Sequence, residues 1–322
     1  MTQYREVDLR GVRTMSIADR PSKVRREHLA PPPDPGRPVG RLLELLPDQL
    51  AARGLRRLVA AIAAAHAAGR PVVAMLGGHV VKTGCGPCLA ALCREQILTC
   101  LVMNGAAAIH DFELAVWGKT SETVEESLGA GTFGMVEETS RLMNEATLEG
   151  QRRGQGLGES LAEKLEAIDA PYRDTSLLGT AHATGLPVTV HVALGTDILH
   201  QHPTADGAAI GDTSLRDFRR LAGALRGLSG GVVLNLGSAV ILPEVFLKAL
   251  SVLRNLGESL EALVTANLDF QRHYRPTQNV LHRPTQGIGE GIELIGHHEI
   301  MLPVLCALVL DAVRRQGAGP GA

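Results

Sequence analysis

The sequence predicts an α/β protein: a mainly parallel, Rossmann-like sheet flanked by helices, with a helical insertion. Three observations carry this expectation. Short apolar runs of strand length alternate with amphipathic stretches of helical period. Nearly every run ends in a glycine-rich or small-residue turn. The chain has 322 residues with 45% apolar content, enough for one large α/β domain, and no linker separates its strand groups.

Taken in order, residues 1–40 read as an extended arm, because HLAPPPDPGRPVG crowds five prolines together and can form neither helix nor central strand. A single domain is expected over 41–316, with 317–322 as a flexible tail. LLELL and LAARGLRRLVAAIAAAHAAG follow at helical spacing, and Gly69 is a suitable stop. PVVAML (71–76) reads as a buried strand, followed by GGHVVKTGCG and a helix through Arg94. CLVMN (100–104) is a second strand, followed by helical GAAAIHDFELAVWG. Residues 118–185 form the expected helical insertion, since TSETVEESL, MVEETSRLMNEATLEG and ESLAEKLEAI all have acidic first turns suited to the helix dipole. Strand-like runs then resume in PVTVHVAL, GGVVLNLG and EALVTAN, with helical stretches between them. GIGEGIELIG (287–296) reads as a flexible lid before the last helix.

Composition excludes several classes of partner. A net charge of −2 and a pI of about 6.6 supply no long-range field for nucleic acid or an anionic membrane. Aromatics are only 3%, with one tryptophan, Trp117, so base-stacking platforms are not expected. No run approaches the roughly 20 apolar residues that span a bilayer. The first residues are charged, without an apolar export core, so the expected location is the cytoplasm. Five cysteines, four of them between Cys85 and Cys100, do not form a disulfide framework there. Cys85 and Cys88 have half a zinc-site spacing, but small apolar residues packing a helix on a sheet explain them better.

In an open parallel sheet, ligands bind outside the carboxyl ends of the strands. The residues to inspect are therefore Gly77, Gly78, Thr83 and Gly84 in the first turn, then Asn104 and Gly105. Gly237 and Ser238 follow, and then Thr265, Ala266 and Asp269. Glycine lets the backbone approach a ligand, and a following helix N-terminus presents free N–H groups to an anion. Together they predict a nucleotide-sized site, although GxGxxG and GxxxxGK[ST] are both absent. Polar residues crowd the same edge. His110 and Asp111 open a helix, and His297, His298 and Glu299 begin the last one. A metal site from Asp197, His200, His202 and Asp206 is one reading, without an HExxH-type pair to support it, and no metal is the expectation. Asp111, Asp206 and Asp212 have another use, holding a polycationic amine by charge-assisted hydrogen bonds.

Across residues 70–312 the order of motifs resembles the deoxyhypusine synthase family. The carriers are AMLGG…TGCG, the His110–Asp111 pair, Ala205-Asp206-Gly207…Ile210-Gly211-Asp212, Leu236-Gly237-Ser238-Ala239-Val240, and Thr265-Ala266 with Arg275-Pro276. The resemblance implies an NAD-binding sheet and a homotetramer with sites at subunit interfaces. Family enzymes move a hydride from spermidine to NAD and pass the resulting four-carbon imine to an enzyme lysine. By position, Asp206, Thr265, Ala266 and the 77–86 loop would face NAD, and Asp212 the amine.

The chain departs from that pattern at two places. The glycine turn leads into Val240-Ile241-Leu242-Pro243-Glu244, which lacks the family's lysine and catalytic histidine. The segment after Arg275-Pro276 reads Asn279-Val280-Leu281-His282-Arg283-Pro284, without the imine-forming lysine. Arginine cannot replace it, since it forms no Schiff base. The expectation is thus an NAD-dependent aminoalkyl transferase acting on polyamines such as spermidine, not true deoxyhypusine synthesis. His282 and His110 are the candidate bases, Lys82 the candidate replacement nucleophile, and Asp212, Asp111 and Arg283 the substrate contacts. The alternatives are an NAD- or nucleotide-binding relative without turnover and, less favoured, a metal-dependent hydrolase.

Overall fold

The computed structural model describes residues 9–26, 42–43 and 46–317. Most of the proline-rich stretch lies outside the described residues, as does most of the tail. Helix α1 (Leu50–Ala67) buries Leu55, Leu58, Val59 and Ile62, the three-and-four spacing of a core-facing stripe. Beyond it the chain turns at Gly69, with φ +61°. Six strands then build one sheet: β2 (Val72–Leu76), β3 (Cys100–Asn104), β5 (Val188–His191), β6 (Val232–Leu236), β7 (Val264–Asp269) and β8 (Glu290–Ile295). Their order is β5-β3-β2-β6-β7-β8, and every pair is parallel.

Counted along the chain, this is the 3-2-1-4-5-6 order of a doubly wound dinucleotide-binding sheet. β2 and β6 are neighbours, but the chain leaves them in opposite directions. Side chains of β2 divide accordingly. Val72, Ala74 and Leu76 pack with α1, α3 (Gly86–Arg94), α4 (Gly105–Trp117) and the last helix, α11 (His298–Gly317). Val73 and Met75 pack with Leu221 of α9 (Gly207–Ala224) and Phe246 and Leu250 of α10 (Ile241–Asn255). Both faces are covered, which is why β2 reads as continuously apolar and not as an alternating strand.

Two expectations change. GIGEGIELIG is not a lid: residues 290–295 are β8, the edge strand beside β7. Ile292 and Leu294 point into the core with α1. Glycine is required at 291 because a Cβ there would lie 2.5 Å from the carbonyl oxygen of Leu281. The insertion holds the expected helices α5 (Val124–Gly129), α6 (Glu137–Arg153), α7 (Leu157–Ala167) and α8 (Leu177–Thr184). It also contains a strand, β4 (Lys119–Glu122), paired antiparallel with β1 (Ser22–Arg25) from the N-terminal segment. That segment is tied down further: Ser16 Oγ and Ile17 N donate to Glu138, at 2.5 and 2.8 Å.

Asp217 on α9 is fully buried and clamps the insertion to the sheet. Its Oδ2 accepts from Gly158 N, at the start of α7, and from Val190 N of β5, both at 2.8 Å. Burial pushes its carboxyl up to about 7, against the pull of those two N–H groups. A carboxyl raised on folding contributes its full share at low pH and loses it as pH rises through about 7. Replacing Asp217→Asn should therefore flatten the pH dependence of unfolding between about pH 4 and 7. Urea titrations at both ends of that window check this, and an unchanged slope would contradict it.

Candidate active site

Where the winding reverses, the backbones of β2 and β6 meet with almost no space between them. A Cβ on Gly77 would collide with the carbonyl of Gly237, whose carbon lies 2.6 Å away. Gly77 N donates to Leu236 O at 2.8 Å, and Gly237 N to Leu268 O at 3.0 Å. Gly237 has φ +67°, and a Cβ on it would stand 2.7 Å from His298 Cε1. His298 is fully buried and its Nε2 donates to Leu268 O at 3.1 Å. A carbonyl only accepts, so Nε2 carries a proton, and Nδ1 has no partner. The His79 ring lies 5.5 Å from His298 and 5.2 Å from Phe270. Burial, then His298 and Lys82, lower its pKa. Ser238 Oγ accepts from Leu242 N at 3.3 Å, and Asp269 Oδ1 from Phe270 N at 2.8 Å. Thr83 donates to His79 O at 3.0 Å, and Gly84 follows with φ +79°.

A hollow lies near these strand ends. It measures about 210 Å³, and its lining includes Arg20, Lys82, His110, Glu113, Glu122 and Asp197. Gly78, next to Gly77, packs on its wall: a Cβ there would lie 3.0 Å from Ala106 Cβ and 3.4 Å from His110 Cδ2. Asn104 closes β3 and caps α4 by accepting from Ala107 N at 2.9 Å. Over Gly105 sits the Asp197 carboxylate, with Oδ1 only 2.7 Å from where a Cβ would be. Its Oδ2 is buried without a partner, and burial raises its pKa to about 6. Glu122 is 8% exposed; Oε1 accepts from Gly134 N at 3.0 Å, while Oε2 has no partner. His110 Nδ1 lies 2.8 Å from Thr120 Oγ1, and burial pushes its pKa down to about 4, with Glu113 opposing. Lys82 is exposed.

The fold thus brings Gly77, Gly237 and Ser238 together where β2 and β6 end, with Asp269 ending the neighbouring strand. Gly78 touches His110, Lys82 and His110 line the cleft, Gly105 lies under Asp197, and Thr83 and Gly84 follow one short helix later. Other expected residues are elsewhere. Asp111 is buried and accepts from Ser176 Oγ and from the N–H groups of Leu177 and Leu178, at 2.6 to 2.8 Å, so it anchors the start of α8. Asp212 is paired with Arg216 one helical turn on, at 2.9 Å. Asp206 caps α9 through Ala209 N, beyond β5 and two strands from β2. Thr265 and Ala266 lie inside β7, which continues to Asp269, and the Thr265 hydroxyl donates to Val280 O. His282 and Arg283 are exposed at the end of a π-helical segment, Thr277–His282, whose neighbour Pro284 accepts from Arg254 near the far end of α10.

Nor do the four residues of the metal reading converge. Asp197 and His200 form a capping box, His202 Nδ1 pairs with Thr204, and Asp206 is the α9 cap. Among the described residues no three His, Cys, Asp or Glu side chains could hold a metal ion. A hollow of about 560 Å³ near the start of β5, lined by His182, Thr189 and Arg220, holds none of the expected residues. Arg20, Glu113 and Glu122 were missed from sequence; Arg20 lies in what reads as a free arm. Among the described residues, no helix is long and apolar enough to cross a membrane.

No family model matches the sequence, and no curated protein is similar to it. Solved structures are. A protein described as LOR/SDH from Methanococcus maripaludis S2 aligns with TM-score 0.52 at 14% identity, over 85% of this chain and 71% of that one. AgrE, in its ternary complex with ornithine and NAD+, aligns with TM-score 0.51 at 14% identity, over 83% of this chain. The alignment spans only 33% of the AgrE chain. A deoxyhypusine synthase-type protein from Entamoeba histolytica aligns at TM-score 0.47 and 10% identity, too distant to argue from. The likeness is one of fold. It places this chain at a distance among Rossmann-like α/β proteins that include an NAD+-bound one.

Asp111 gives a direct check on its placement. Asp111→Asn should lower stability by roughly 1–3 kcal/mol, by turning an amide donor toward backbone N–H groups. Ligand affinity at the crevice should be unchanged; weaker ligand binding with intact stability would contradict the structural role.

Proposed function

We propose that this chain binds NAD along the crevice between β2 and β6 and transforms a small amine held in the nearby cleft. The observation that carries the reading is a pair of unpartnered buried carboxylate oxygens, Asp197 Oδ2 and Glu122 Oε2, on two residues that line a cleft near the glycine turns. A buried carboxylate oxygen without a donor is costly, and a ligand ammonium would supply several donors at once. The cleft of about 210 Å³ is below the ~300–1,000 Å³ of drug-sized sites and suits a compact amine.

The crevice suits a dinucleotide by its place, at the carboxyl ends of β2 and β6 where the connections diverge, and by the unpartnered Nδ1 of His298, which a polar group such as a ribose hydroxyl would meet. Bound NAD would supply a hydride acceptor for the carbon beside the substrate nitrogen. The finer reading is aminoalkyl transfer from a polyamine such as spermidine, with Lys82 as the primary amine that takes up the alkyl group. The ornithine held with NAD+ in AgrE supports an amine-bearing substrate. In this reading Asp197 and Glu122 replace Asp111 and Asp212 as the anchors.

Purified protein with NAD and spermidine, putrescine or ornithine tests the proposal. Amine-dependent absorbance at the NADH band or release of diaminopropane is expected, with at least a tenfold loss, about 1.4 kcal/mol, in Asp197→Asn and Glu122→Gln. Amine affinity should strengthen as pH rises through about 6, because the Asp197 carboxyl ionises there. An NAD-induced thermal shift without product from any amine would favour a binding protein without turnover. Neither shift nor product would end the proposal.

A further inference from the structure

Proton bookkeeping around Glu113 fixes the state of the cleft histidine. Glu113 is fully buried and receives four donors. Arg20 Nη1 and Nη2 reach its two oxygens at 2.9 and 2.8 Å, Thr139 Oγ1 adds 2.9 Å to Oε1, and Thr120 Oγ1 donates to Oε2. Four donors fill the four lone-pair positions of an ionised carboxylate, so Glu113 has no proton to give and Thr120 must give its own. The Thr120 oxygen is then free only to accept, and its other neighbour is His110 Nδ1 at 2.8 Å. His110 must therefore carry its proton on Nδ1. Burial keeps the ring neutral well below pH 6, which leaves Nε2 as a bare acceptor.

We propose that Arg20, Glu113 and Thr120 are positioning residues that lock His110 in its Nδ1–H tautomer, so that Nε2 accepts a proton-bearing N–H or O–H group of a cleft ligand. The assignment of that ligand as substrate rests on the amine reading above, whereas the tautomer does not. Thr120 is the hinge of the relay. It lies on β4, which pairs with β1 of the same N-terminal segment that delivers Arg20, so one antiparallel ribbon positions both Thr120 and Arg20. His110 in turn lies against Gly78, next to Gly77.

Nitrogen-15 NMR of the full-length protein, free of cofactor and amine, reads the tautomer directly. A protonated Nδ1 and a bare Nε2 on His110 are expected at neutral pH. Thr120→Ser, which keeps the hydroxyl, should retain that pattern, and Thr120→Val should shift the ring toward the Nε2–H form. A bare Nδ1 in the wild-type protein would overturn the proposal, even if Thr120→Val fails to fold. So would a Thr120→Val spectrum identical to wild type. A locked Nδ1–H tautomer in a protein that turns over no amine would remove the substrate assignment and leave the relay standing.

Discussion

The approach of Gly77 to Gly237 is the constraint on which the rest of the structure depends. At that point the first and fourth strands of the sheet lie side by side while their connections diverge to opposite faces. Any side chain at 77 would push against a carbonyl that belongs to the next turn, and the register between Leu76 and Leu236 would open. Because the contact is backbone against backbone, neither partner can give way by changing rotamer. In open sheets of this strand order, that divergence is where ligands bind. His298, brought back by the last helix, closes the far wall with a ring buried against Gly237.

Beside that backbone contact the cleft is strongly electrostatic. Arg20 and Glu113 are removed from water almost completely, with side-chain exposures of 2% and 1%. Burying two charges is repaid only when geometry is good and the remaining donors are met, and removing one partner of such a pair costs about 3–5 kcal/mol. Here the bidentate fork and two threonine hydroxyls saturate the carboxylate. Asp197 and Glu122 contrast with it, each having an oxygen left over. The same cleft therefore contains one carboxylate that is complete and two that are not, and incomplete carboxylates are where a cation-bearing ligand gains most.

Much of the fold was legible in the sequence because buried parallel strands are short, apolar and punctuated by glycine. PVVAML, CLVMN and GGVVLNLG mapped onto β2, β3 and β6 within a residue or two. β8 was not legible, since EGIELI carries two glutamates and a glycine and lies at an edge, where burial writes only half the pattern. Thr265 and Ala266 were placed too late because the strand continues through Asn267 and Leu268 to a buried Asp269, past the point where polarity suggests an end. Asp111 and Asp212 illustrate a different limit. Sequence shows a carboxylate but not its partners, and backbone N–H groups of α8 or an arginine one turn away can satisfy it completely. Arg20 shows the same limit, because its partner lies 93 residues away.

That separation has a bearing on how the molecule is made. Chains emerge from synthesis with the first residues leading. The β1 ribbon has nothing to pair with until β4, Glu113 and the start of α6 have followed it, so this first described segment cannot settle until they emerge. Until then a guanidinium destined for the interior stays in water, and the wall of the cleft is missing.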